Sequence, residues 1–134
     1  MKVRIAFLLV TVLCAAACDD NTTTTATTPT TTVTEPTFTD TLTVNGARIK
    51  QFSTTGRGTV TATLTAVGPD STTVIGLSLG TWNGASCQIV QDEHAAQGAT
   101  LVANVSGVGN LCLRVYDPGT LTAPVTFSVD LSHP

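Results

Sequence analysis

The chain has 134 residues, of which 42% are hydrophobic but only 4% aromatic and 11% charged, with a formal net charge of −3. That length accommodates one ordinary domain. Six Lys and Arg against nine Asp and Glu cannot build the basic surface that neutralises a phosphate backbone, so the composition excludes nucleic acid from the expected partners.

At the N-terminus, Lys2 and Arg4 precede the apolar run IAFLLVTVL, residues 5–13, and the small residues Ala15, Ala16 and Ala17 close the segment. A charged start, an apolar stretch too short to span a bilayer and a small-residue end are the order of a secretory signal over residues 1–17. Its removal leaves four basic and nine acidic side chains, a formal net charge of −5. Cys18 follows the three alanines directly, and this arrangement resembles the lipobox of bacterial lipoproteins. The resemblance implies that Cys18 becomes the lipid-modified first residue of the mature protein, anchored in the cell envelope. The competing reading is an ordinary signal cut near the same point, which leaves Cys18 as an exposed free thiol. Cys14 is discarded with the signal in either case.

Residues 18–37 are read as a tether, with Asp19 and Asp20 followed by eleven threonines and two prolines between positions 22 and 37. A segment with so little to bury cannot offset its ordering entropy. It is expected to stay extended and solvated, reaching at most about 60 Å at ~3.1 Å per residue. Its Thr and Pro content also resembles O-glycosylated stalks.

From Phe38 onward a period of two takes over. In TVTATLTAV, residues 59–67, Val60, Ala62, Leu64 and Ala66 share one face and Thr59, Thr61, Thr63 and Thr65 the other. That is the pattern of a half-buried antiparallel strand. PVTFSVDL, residues 124–131, repeats it with Val125, Phe127, Val129 and Leu131 inward, and NLCLRVY, residues 110–116, with Leu111, Leu113 and Val115. Weaker strands are read at FTDTLTV, ARIKQFS, TTVIGLSLG, ASCQIVQ and TLVANVS. Turn chemistry separates them at Asn45-Gly46, Gly68-Pro69-Asp70, Trp82-Asn83-Gly84, Gly107-Val108-Gly109-Asn110 and Asp117-Pro118-Gly119. The expected fold class is all-β, a single antiparallel β-sandwich of about eight strands, Greek-key or jelly-roll in type. It occupies residues 38–134.

Cys87 and Cys112 remain as an even pair in an oxidising compartment, and a disulfide between them is expected. Closing that loop of about 25 residues contributes roughly 3 to 4 kcal/mol in the chain-entropy description. Two cysteines without a C-x-x-C spacing or nearby histidines do not make a zinc site.

GNLCLRVYDPG followed by APVTFSVDLSHP resembles the end of bacterial pre-peptidase C-terminal domains, and GTVTATLTAVGPD resembles an earlier part of them more loosely. The resemblance implies a small secreted β-sandwich of the kind appended to exported peptidases as an accessory. No peptidase is attached in this sequence, so it implies a fold and an exported setting rather than an activity.

Two segments invite a search for chemistry. GLSLG, residues 76–80, matches the G-x-S-x-G nucleophile elbow, but that motif needs a strand turning sharply into a helix, and no helical pattern follows. Ser78 is therefore read as a strand serine. QDEHAAQG, residues 91–98, holds the densest ionisable cluster, and Asp92, Glu93 and His94 are read as a solvated loop. Neighbours on an extended chain point in alternate directions, so the three rarely converge on one ion. A calcium site using Asp92 or Glu93 is the weaker alternative, since such an ion takes about six to eight oxygens. Asp117 is a distant residue that folding could bring beside this cluster. His133, next to the end of the sequence, is expected to fray. Trp82, the only tryptophan, is read in a turn, where it either stacks on a sugar or anchors a protein partner, or folds back over the sandwich edge.

The resulting expectation is a non-enzymatic module of the bacterial cell envelope. It is held to the membrane through Cys18, requires no cofactor or metal, and is accessory to exported proteins or glycans. The alternatives are a structural spacer of the envelope and, third, a hydrolase or metal-dependent enzyme built on Asp92 to His94.

Overall fold

The computed structural model describes residues 30–134. The signal segment, Cys14, Cys18 and the Thr-rich stretch up to residue 29 lie outside the described residues. Among the described residues the chain forms nine strands and no helix. They are β1 (Val33–Thr34), β2 (Phe38–Leu42), β3 (Ala47–Thr54), β4 (Arg57–Gly68), β5 (Ile75–Trp82), β6 (Cys87–Ala95), β7 (Thr100–Ser106), β8 (Gly109–Tyr116) and β9 (Val125–His133).

Each expected strand segment carries one of β2 to β9. β2 pairs with β9, β3 with β8, β4 with β7 and β5 with β6, all antiparallel. The chain thus runs out as four strands and returns as four, a long double ribbon. Rolling that ribbon sets β4 beside β9 and β5 beside β8, which closes one sheet ordered β2-β9-β4-β7 and another ordered β3-β8-β5-β6. This is the jelly-roll form of the β-sandwich. β6 and β7 end the two sheets on one side, and β1 lies in line with β2 against β9.

The core follows from alternation. Val60, Ala62 and Leu64 of β4 and Phe127, Val129 and Leu131 of β9 pack in one cluster with Leu77 and Leu79 of β5 and Leu113 and Val115 of β8, each at most 5% exposed. Burying side chains of this size stabilises the fold by about 1.5–3 kcal/mol each. Ala66 departs from its expected inward place. A bulge between Leu64 and Ala66 shifts the register against β9, so Ala66 is exposed and Val67 turns inward at 4% exposure.

The disulfide is present, joining Cys87 of β6 to Cys112 of β8 with their Cα atoms 5.8 Å apart. β5 lies between these strands, and Gly80 is the β5 residue paired with Ile89 on one side and Cys112 on the other. A Cβ on Gly80 would run into the Gln88 backbone carbonyl, so glycine is what lets β6 press onto β5 and reach β8. Beside Gly80, β6 takes up an extra residue, Val90, in a second bulge.

Two expectations about the chain ends are corrected. Val33 and Thr34, assigned to the tether, pair with His133 and Ser132 of β9. The ordered chain therefore starts before Phe38. His133 does not fray, being 3% exposed and bonded on both ring nitrogens. The end of β9 is held because the Thr55 N–H donates to the Pro134 carbonyl at 3.0 Å and Gly58 lies against the Pro134 ring.

Candidate functional site

The outward face of the β3-β8-β5-β6 sheet collects the chain's unusual side chains. On β8, Leu113 and Val115 turn inward, so Cys112, Arg114 and Tyr116 turn outward, opposite Gly80, Ser78 and Gly76 of β5. On β6, Asp92 and His94 fall opposite Ser78 and Gly76 on this same face, while Glu93 lies opposite inward-facing Leu77. Asp92, Glu93 and His94 are therefore strand residues rather than a loop, because β6 keeps pairing with β5 as far as Ala95. Their expected divergence holds, since strand alternation separates Glu93 from the other two.

Asp92 gathers two hydroxyls from distant strands. Ser78 Oγ donates to its Oδ1 at 2.6 Å and Tyr116 Oη donates to its Oδ2 at 2.7 Å. The Tyr116 ring lies over Gly76, where a Cβ would occupy the ring's own space. The Arg114 guanidinium sits 4.4 Å from the centre of that ring, and the His94 ring approaches its edge at 6.3 Å. Burial works against the Asp92 charge, but the bonds from Ser78 and Tyr116, with His94 and Arg114 nearby, hold its carboxyl below the ordinary value. Burial, then the bond to Asp92 and its negative charge, push the Tyr116 phenol upward.

A carboxylate facing a neutral phenol is stabilising between the ordinary titrations of the two groups, from about pH 4 to about pH 10. The contribution is lost as pH falls through the lowered Asp92 value or rises through the raised Tyr116 value. Tyr116 is the only tyrosine of the chain, so phenolate absorbance reads it alone. Asp92→Asn should bring its titration to lower pH, and Gly76→Ala, by lifting the ring off β5, should do the same. An unchanged titration in Asp92→Asn would mean that burial alone raises the phenol.

This constellation does not assemble a hydrolytic triad. Ser78 is fully buried and donates its hydroxyl hydrogen bond directly to Asp92, with no imidazole between them. Among the described residues, no three His, Cys, Asp or Glu side chains gather as a metal-binding group. Asp117 is not beside Asp92 at all. It sits in the β8–β9 loop, where its Oδ1 accepts from the Gly119, Thr120 and Leu121 amides and its Oδ2 from the Asn45 amide. Burial opposes its charge, but those four amides hold its carboxyl below the usual range. Asp117 therefore ties two loops together.

At the other end of the same face stands Trp82, the last residue of β5 rather than a turn residue, and half-buried. It borders a hollow of about 410 Å³ shared with Gln51, Phe52, Ser53, Gly84, Asn110 and Leu111. Ser53 Oγ donates to Asn110 Oδ1 at 2.9 Å, which orients that amide. The turn after Trp82 is shaped by Asn83, whose Oδ1 accepts from the Ala85 and Ser86 amides, and by Gly84 at φ +95°. The disulfide lies on this same face and braces its Trp82 end, since Cys87 pairs opposite Trp82 and Cys112 opposite Gln51.

Four of these residues escaped sequence reasoning in their roles. Tyr116 and Arg114 looked like ordinary strand positions, and Gln51 and Asn110 gave no signal of facing Trp82. The available clue was the spacing of Gly76 and Gly80 on alternate positions around Ser78, since glycines along one face of a strand mark something packed onto it. No protein-family profile and no curated protein sequence matches the chain.

Proposed function

We propose that the chain is a non-catalytic binding module of the bacterial cell envelope, anchored through a lipid on Cys18, whose Trp82 hollow takes up a neutral sugar of an envelope or exported glycan. The observation that carries this reading is the hollow's chemistry. A half-exposed indole face stands beside amide and hydroxyl groups, and no lining side chain bears a charge. An indole offers a flat apolar surface to a sugar ring, while Gln51, Ser53 and Asn110 supply directional donors and acceptors for its hydroxyls. The absence of charge among the lining residues favours a neutral sugar over an acidic one. The jelly roll, a fold that includes lectins, adds support by analogy only. The hydrogen bond that already commits Ser78 to Asp92 favours binding over hydrolysis.

The test is a glycan array and a pull-down from native envelope, each run with the wild type and with Trp82→Ala. Loss of a buried aromatic anchor should weaken binding by about 2 kcal/mol, or roughly thirtyfold. Trp82 is the only tryptophan, so its fluorescence should shift on titration with the retained sugar. Cys18→Ser should move the protein out of the membrane fraction without changing sugar affinity. Equal retention by wild type and Trp82→Ala would sink the sugar reading and favour a spacer role.

A further inference from the structure

β1 is only two residues long and both are exposed, so apolar burial does not hold it. Its attachments are the short ladder to β9, the Glu35 N–H donating to the Leu131 carbonyl at 2.9 Å, and one cluster of side chains. At the centre of that cluster is His133, 3% exposed, its ring 5.0 Å from the Phe52 ring. His133 Nε2 lies 3.2 Å from Glu35 Oε1, and His133 Nδ1 lies 3.2 Å from the Pro134 carbonyl oxygen. The other Glu35 oxygen meets the Lys50 ammonium at 3.1 Å.

We infer that His133, Glu35 and Lys50 form a pH-dependent clasp, which holds β1 against the sandwich while His133 is protonated and loosens when the imidazole becomes neutral. Both oxygens facing the ring are acceptors. A neutral imidazole has one N–H and one lone pair, so it satisfies one of them and opposes a lone pair to the other. An imidazolium donates to both. At this burial, solvent is poorly placed to supply the missing proton. The like charge of Lys50 and the burial itself work against the imidazolium, while the Glu35 carboxylate and the Pro134 carbonyl favour it. Phe52 supplies uncharged aromatic cover beside the ring.

The direction of the pH effect follows from which partner changes. Raising the pH removes the imidazolium proton and with it one of the two donors, so the clasp weakens as pH rises. On the acid side, bonds from His133 and then Lys50 lower the Glu35 carboxyl, so the clasp persists below the ordinary glutamate range and fails only as that group protonates. Opening frees residues 33–37, which adds about 16 Å to the chain leading into the domain, at ~3.3 Å per residue. The device is independent of what Trp82 binds. It changes how far the domain stands from whatever holds its N-terminal segment.

Amide exchange on the full chain tests this, read as protection factors at about pH 5.5 and about pH 8.5, on either side of ordinary histidine titration. Protection of the Glu35 amide should fall about tenfold or more at the higher pH, as one charge-assisted hydrogen bond is lost. The Leu64 amide, bonded to the Ala99 carbonyl inside the fold, should not change. Ring nitrogen shifts of His133 in the wild type should show both nitrogens protonated at the lower pH. His133→Phe should give low Glu35 protection at both pH values. A neutral His133 ring at the lower pH, or Glu35 protection indifferent to pH, would overturn the clasp.

Discussion

Cys112→Ala should lower the stability of the domain by about 3.5 kcal/mol, the chain-entropy value for opening a loop of the 25-residue separation between the two cysteines. A domain of this size is typically stable by about 5 to 15 kcal/mol, so the bridge accounts for a large part of the margin. The location of the bridge supports an effect of that size. β6 is a sheet edge that pairs only with β5, its pairing interrupted by the bulge at Val90, and the first eight of its nine residues are half-buried or exposed and absent from the core cluster, which takes only Ala95 from this strand. Cys112 is fully buried, so truncation also leaves a small void that Cys87→Ala, at a more exposed position, does not. Urea unfolding of the two variants and of the reduced wild type checks this. Cys112→Ala should be the least stable, and a loss below about 1 kcal/mol would mean that β6 is held without the bridge. Trp82 pairs opposite Cys87, so its fluorescence should report the loosening before global unfolding.

The strands were legible because their physics is local. A period of two in β4, β8 and β9 declares one face buried, and turn residues mark where each run ends. The bridge was legible by the expected compartment, given an even pair of cysteines behind a segment that reads as a secretory signal. β1 was illegible for the complementary reason. Val33-Thr34 sits in a Thr-rich run with no alternation, and its attachments run through the backbone, Glu35 and His133, roughly a hundred residues apart in sequence. The jelly-roll pairing was equally hidden, since Greek-key and jelly-roll chains share the same local pattern and differ only in which distant strands meet. The Asp92 cluster depends on register. Ser78 and Tyr116 stand 14 and 24 residues from Asp92, and a shift of one residue in either pairing would send those hydroxyls to the core face.

Phe127→Ala should be at least as damaging, costing about 3 to 5 kcal/mol, the range for removing a buried phenylalanine. Phe127 is 1% exposed, the third residue of β9, which pairs with β2 on one edge and β4 on the other. Its ring meets Phe38 of β2 edge-on, with centroids 5.2 Å apart. Phe38 is only partly buried, so it cannot slide inward to fill the space without breaking the β2–β9 register at Val129. The loss should therefore combine lost burial, an unfilled void and a weakened aromatic pair worth about 0.5 to 1.5 kcal/mol. A double-mutant cycle separates the last part. Phe38→Ala alone should cost less than Phe127→Ala, and the two together should cost less than their sum by about that coupling. If Phe127→Ala loses under about 1.5 kcal/mol with an unchanged urea slope, the core collapses around the site and Phe127 is not the packing centre of this sheet.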